Sequence, residues 1–146
     1  MKRPVRKARS AAPAAKGAGY SGTPLPKKLG IKPGTAALLV AAPEGFERTL
    51  GALPEGATLR RAGRGGAELV IWFVRSAQDL AGGVTRMAAR VEGGGMWIAW
   101  PKLGSPLASD LRENLVRDAA LAEGLVDYKV CAIDADWSAL KFARRK

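Results

Sequence analysis

Three short runs constrain this chain more than anything else in it. Residues 36–42, 69–74 and 96–100 are apolar without a break and carry no charge. Runs of five to seven such residues are too short for a buried helix and do not alternate. They read as strands covered on both faces. Strands of that kind need helices above and below them. Helical patterns do fall between the runs, so the expected fold class is α/β: a single Rossmann-like three-layer domain with a mostly parallel sheet.

The other elements follow from punctuation and period. Thr23 to Gly30 predicts a short helix, with Thr23 as cap, Pro24 in the first turn and Gly30 at the end. Residues 44–53 predict a second helix, with Phe46, Leu50 and Leu53 inward, and residues 57–60 a short strand. Ser76 can cap a longer helix, along which Ala77, Leu80, Ala81, Val84, Met87, Ala88 and Val91 keep a helical period. A further helix is expected from Ser105, carrying Leu107, Leu111, Leu115, Ala119 and Ala122. Residues 125–133 and 137–143 alternate around Asp134-Ala135-Asp136 and predict a C-terminal β-hairpin. Residues 20–146 are expected to make one domain, without an internal repeat.

Charge is unevenly placed. The chain carries +11, with 24 Lys and Arg against 13 Asp and Glu. Residues 1–43 hold nine of the bases and none of the acids, since Glu44 is the first acid. Residues 1–19 lack the apolar side chains a core needs and predict a disordered basic tail. Lys2, Arg3, Arg6, Lys7, Arg9 and Lys16, with Lys27 and Lys28 beyond, are the candidates for nonspecific contact with nucleic-acid phosphates. No aromatic residue interleaves the bases of the tail, so no stacking platform for single strands is expected there. No apolar run follows these charges as a secretory signal would require, and none is long enough to span a bilayer. A cytoplasmic location is the expectation.

One Cys and no His exclude several chemistries. An internal disulfide, a Cys/His zinc site and a histidine-based nucleophile pair are all out of reach. Asp134 and Asp136 flank one residue in a turn, where Asp bonds nearby backbone, so they are read as turn residues and not as an acid pair or metal site. Cys131, in an alternating strand, reads as a small buried hydrophobe. Trp72, Trp97 and Trp137 read as packing residues. No metal and no cofactor are expected.

The order of elements resembles a Rossmann-like methyltransferase scaffold over roughly residues 25–144. The entry 29–34 before the first buried strand, the central strand and helix, the 90–98 stretch and the terminal hairpin carry that likeness. The resemblance implies a ligand site at the strand ends, but the glycine-rich loop that lets backbone approach a cofactor is missing. In its place stands Ala41-Ala42-Pro43-Glu44-Gly45-Phe46, and Arg60 and Arg61 follow the second strand where a ribose-binding acid would be expected. Several blocks also resemble bacterial proteins of the domain of unknown function 3052: residues 19–25, 28–31, 42–46, Trp100-Pro101-Lys102, 124–127, 129–134 and 137–141. That resemblance implies a bacterial protein and no particular mechanism.

In an open parallel sheet, ligands bind beyond the C-terminal strand ends where the strand order reverses. The candidates there are Glu44, Phe46, Arg75, Ser76, Trp100 and Lys102. Arg75 and Lys102 would pair with an anion, the helix start at Ser76 would offer N–H groups, and Trp100 would stack on a ring. With so many chemistries excluded, the leading expectation is a non-enzymatic binding or regulatory domain for a protein partner or small anionic ligand. The alternatives are tail-mediated nucleic-acid association, and a degenerate methyltransferase-like domain binding a small anionic ligand at the rim.

Overall fold

The computed structural model describes residues 23–61, 66–93 and 95–144. The expected basic tail therefore lies outside the described residues. The strands are β1 (Ala36–Val40), β2 (Thr58–Arg60), β3 (Leu69–Phe73), β4 (Met96–Pro101), β5 (Leu125–Ala132) and β6 (Trp137–Arg144). The helices are α1 (Leu25–Leu29), α2 (Phe46–Leu50), α3 (Ala77–Ala89) and α4 (Glu113–Leu121). All six strands form one sheet in the order β2-β1-β3-β4-β6-β5. The first four run parallel, and β6 is antiparallel to both β4 and β5. The chain is thus an α/β domain with a mostly parallel sheet and an antiparallel C-terminal hairpin, as its apolar runs require.

Alternation within the strands sorts their side chains between two cores. Leu38, Val70, Trp72, Met96, Ile98, Trp100, Leu140 and Phe142 pack on one face with Leu80, Val84 and Met87 of α3 and Val116 and Ala120 of α4. Ala37, Leu39, Leu69, Ile71, Phe73, Trp97, Ala99, Trp137 and Ala139 pack on the other with Leu29 of α1 and Phe46 and Leu50 of α2. Each β3 residue is buried, which is why its sequence shows no polar alternation.

Local chemistry sets the boundaries and corrects several expectations. Helix α1 begins after Pro24, which takes the cap position in place of Thr23, and the proline of its first turn is Pro26. Strand β1 stops at Val40 because Ala41 takes a left-handed conformation with φ 59°, an uncommon one for a residue with a Cβ. Helix α2 is five residues long, capped by Gly45. In α3 the expected cap is present: the Ser76 hydroxyl accepts from the Asp79 N–H at 3.0 Å. The largest departure is α4, which begins at Glu113 and not at Ser105. The Ser105 hydroxyl accepts from the Leu107 N–H and donates to Asp136, holding a loop instead of a helix. Leu107 and Leu115, taken as inward residues, are exposed.

Candidate functional site

The strand order reverses between β1 and β3: the chain leaves β1 for β2 on one side and returns to β3 on the other. Val40 pairs with Trp72 in register, so the loops after these strands leave the sheet side by side. The first loop turns sharply at Ala41 and runs through Pro43 to Gly45. The second carries Arg75 and Ser76 into α3.

Two guanidinium groups bind the carbonyls of the first loop. Arg75 reaches across the reversal point and donates to the Ala41 carbonyl at 2.7 Å. Arg61, just past β2, donates to the carbonyls of Ala42 (3.0 Å) and Pro43 (2.8 Å). The same Arg61 forms a two-pronged pair with Glu47, at 2.7 and 2.9 Å. That contact holds the Glu47 carboxyl down at about 2 and raises Arg61. Arginine therefore fixes this loop where a glycine-rich loop would leave its N–H groups open to a ligand. The sequence puts Arg60-Arg61 after β2 but does not disclose that the second of them turns back onto the loop. Its neighbour Arg60 bonds the Gly66 carbonyl instead.

The floor beneath Arg75 is aromatic. Its guanidinium lies 5.3 Å from the Trp137 ring centroid. The Trp137 ring meets Phe73 edge-on, and Phe73 meets Phe46 edge-on, both at 5.0 Å between centroids. Phe46 is thus a buried support for the floor. Trp100 is buried as well. Alternation along β4 turns it to the α3/α4 core with Ile98, and Trp137, paired beside Pro101, supplies the ring at the rim.

The start of α3 is already occupied. Ser76 accepts from Asp79, the Asp79 carboxylate accepts from the Arg75 N–H at 3.1 Å, and Asp110 accepts from the Ala77 N–H at 2.9 Å. Two carboxylates therefore sit where an anion was expected to find N–H donors. Sequence reasoning missed Asp110, which lies 33 residues from its partner and belongs to no motif. Lys102 is half-buried, and its N–H bonds the Asp136 carbonyl at 2.8 Å. Neither the Arg75 guanidinium nor the Lys102 ammonium pairs with a carboxylate among the described residues. Glu44 is exposed on the loop.

The remaining candidates lie elsewhere. Asp134 accepts from the N–H groups of Asp136 and Trp137, as a turn residue should. The described residues contain no group of three or more potential ligands that could hold a metal. Cys131 is buried, and burial raises its thiol despite opposing influence from Lys28 and Lys102. Lys27 and Lys28 lie on α1, while Lys2, Arg3, Arg6, Lys7, Arg9 and Lys16 fall outside the described residues. No described helix is long and apolar enough to cross a membrane.

No family model matches the chain, so the resemblance to the domain of unknown function 3052 gains no support. No curated protein matches it in sequence. Solved structures do share its fold. Ribosomal protein L11 methylase from Lactobacillus delbrueckii subsp. bulgaricus superposes with a TM-score of 0.55 at 12% identity, over 84% of this chain and 75% of that one. Magnesium protoporphyrin IX methyltransferase from Synechocystis PCC 6803, with bound SAH, gives 0.51 at 10% identity, over 77% and 75%. The complex of LepI with SAM gives 0.51 at 10%, over 84% of this chain and 47% of that one. The fold is thus Rossmann-like, of the kind these methyltransferase structures share. This corrects the leading expectation of a non-enzymatic binding or regulatory domain. That reading rested on missing motifs, whereas the structures sharing this fold point to the methyltransferase-like alternative.

Proposed function

We propose that this chain is a methyltransferase-like domain that binds a small anionic ligand at the C-terminal ends of its parallel strands. The observation that carries this reading is Arg75. It bridges the two loops at the point where the strand order reverses, lies over an aromatic floor, and pairs with no carboxylate among the described residues. A guanidinium so placed keeps several N–H donors for a carboxylate or phosphate. Lys102 supplies a second positive charge on the same rim.

The glycine loop is replaced by one that Arg61 and Arg75 fasten, so a ligand meets a rigid wall and must take its hydrogen bonds from side chains. The kinship with the bacterial domain of unknown function 3052, and with it a cytoplasmic location, belongs to this proposal. It is carried by blocks 42–46 and 100–102, which fall on this rim.

The test is thermal unfolding of the full chain with phosphate, sulfate, small carboxylates, adenine nucleotides, adenosylmethionine and its demethylated product. A compound at 100 times its dissociation constant adds about 2.7 kcal/mol, a rise of roughly 5–10 °C for a chain this size. The expected result is such a rise with an anionic compound, lost in Arg75→Ala and reduced in Lys102→Ala. A flat panel, or a rise that survives both substitutions, overturns the proposal.

A further inference from the structure

At the opposite end of the sheet the fold gathers lysines without acids. Lys141 follows Trp137 and Ala139 on the same face of β6, where an apolar residue would continue the pattern. Only 6% of it is exposed. Its ammonium lies 5.7 Å from the ring centroid of Trp97, its neighbour on β4, and 5.7 Å from that of Tyr128 on β5. Lys129 is its register partner on β5, so two lysines stand directly opposite each other across the hairpin.

Helix α1 brings more of the same charge. A Cβ on Gly30, which closes that helix, would stand 2.6 Å from the Lys141 nitrogen. The last turn of α1 carries Lys27 and Lys28, and Lys32 follows Gly30 closely. None of these lysines pairs with a carboxylate among the described residues, and Asp127, beside Tyr128 in sequence, is bound by Arg117 of α4. Residues 1–22, which lead into α1, hold six further bases and no acid. Stability accounts for neither a buried unpaired cation nor facing lysines, since both are unfavourable.

The charges are spread over a helix, the turn after it and an edge strand, and do not converge as they would on a small ion. An open aromatic ring lies among them. Tyr128 stands at the β5 bulge between Asp127 and Lys129, outside the regular pairing. It is 51% exposed although Lys141 lies against its ring.

We propose that α1 and the edge strand β5 form a docking surface for a single-stranded nucleic acid, with Lys28, Lys32 and Lys129 on its phosphates and Tyr128 stacked on a base. This surface uses none of the rim residues and goes beyond the anion site there. Lysines neutralise successive phosphates and release their counterions, while a ring accepts any base by stacking. Lys141 lies beneath and adds its charge to the field without touching the strand. The bases ahead of α1 in the sequence lengthen the run of positive charge that a long polyanion can use.

The test is fluorescence anisotropy of a labelled oligothymidylate of about 20 nucleotides with the full chain, from about 50 to about 200 mM salt. Replacing Lys28, Lys32 and Lys129 together by Gln is expected to weaken binding at least about tenfold at the lowest salt. The slope of log affinity on log salt should become shallower by about 2. Tyr128→Leu is expected to weaken binding about fivefold or more with the slope unchanged, and Tyr128→Phe to match the parent. Arg86→Gln, on α3 at the other face of the sheet, is expected to change nothing. No binding at low salt, or a triple variant that binds like the parent, overturns the surface. Equal affinity for poly-glutamate, or a Tyr128→Leu variant that binds like the parent, overturns the nucleic-acid strand as its occupant.

Discussion

A single side chain decides the pH behaviour at each end of the sheet, with opposite signs. Glu47, held to about 2 by Arg61, titrates below its ordinary 4.5. Its carboxylate therefore favours the folded chain above the unfolded value, and that contribution is lost as pH falls from 4.5 toward 2. The pair is exposed and salt screens it. Glu47→Gln is expected to match the parent at pH 2 and fall slightly behind at pH 6, by urea unfolding at low salt. Lys141 behaves in the opposite sense. Its folded-state pKa is lowered, so the unfolded chain binds more protons and stability rises with pH up to about 10.5. Lys141→Met, apolar and of similar length, is expected to be more stable than the parent at pH 7. The margin should narrow as pH approaches 10.5, and urea midpoints across that range check it.

At the scale of elements, the two adjacent glycines of α3 separate propensity from packing. Both read in the sequence as weak points in a helix. In the structure, a Cβ on Gly82 meets nothing within 4 Å, whereas one on Gly83 falls 2.7 Å from the Trp72 ring. Gly82→Ala is expected to stabilise the chain by about 0.5–1 kcal/mol. Gly83→Ala, forced against a buried indole, is expected to destabilise it by about 1–3 kcal/mol. Urea unfolding of the two variants should give opposite signs. The helices also mark how far the sequence could be read. Helix α3 was legible because its cap and its period agree. For α4 the leucine spacing misled, since Leu107 lies in the exposed loop before the helix, Leu115 is on its exposed side, and the buried residues of the helix are Val116 and Ala120. Ser105 has the chemistry of a cap and uses it on a turn, held by Asp136 from another element.

At the scale of the molecule, the sheet was legible because strands buried on both faces leave an uninterrupted apolar signature. The layering of the aromatic side chains was not legible: Trp100 packs in one core and Trp137 in the other, and only the register of β4 against β6 tells which ring faces which layer. Lys141 shows no signal in the sequence, since nothing local marks a lysine on a buried face. The topology also orders stability within the sheet. The inner strands β1, β3, β4 and β6 are bonded on both sides, while β2 is a three-residue edge. Amide hydrogen exchange is expected to be slowest at Leu39, Ile71 and Ile98 and fastest among the strands in Thr58–Arg60.

The position of β6 has a consequence for how the chain comes to be folded during translation. It lies inside the sheet, between β4 and β5, although it follows both in the chain. Until residues 137–144 have emerged from the ribosome, the edge of β4 stands open beside the buried side chains of Met96, Trp97 and Ile98. Synthesis that stalls after β5 therefore leaves an unpaired apolar edge, the kind of surface that chaperones shield and other nascent chains capture.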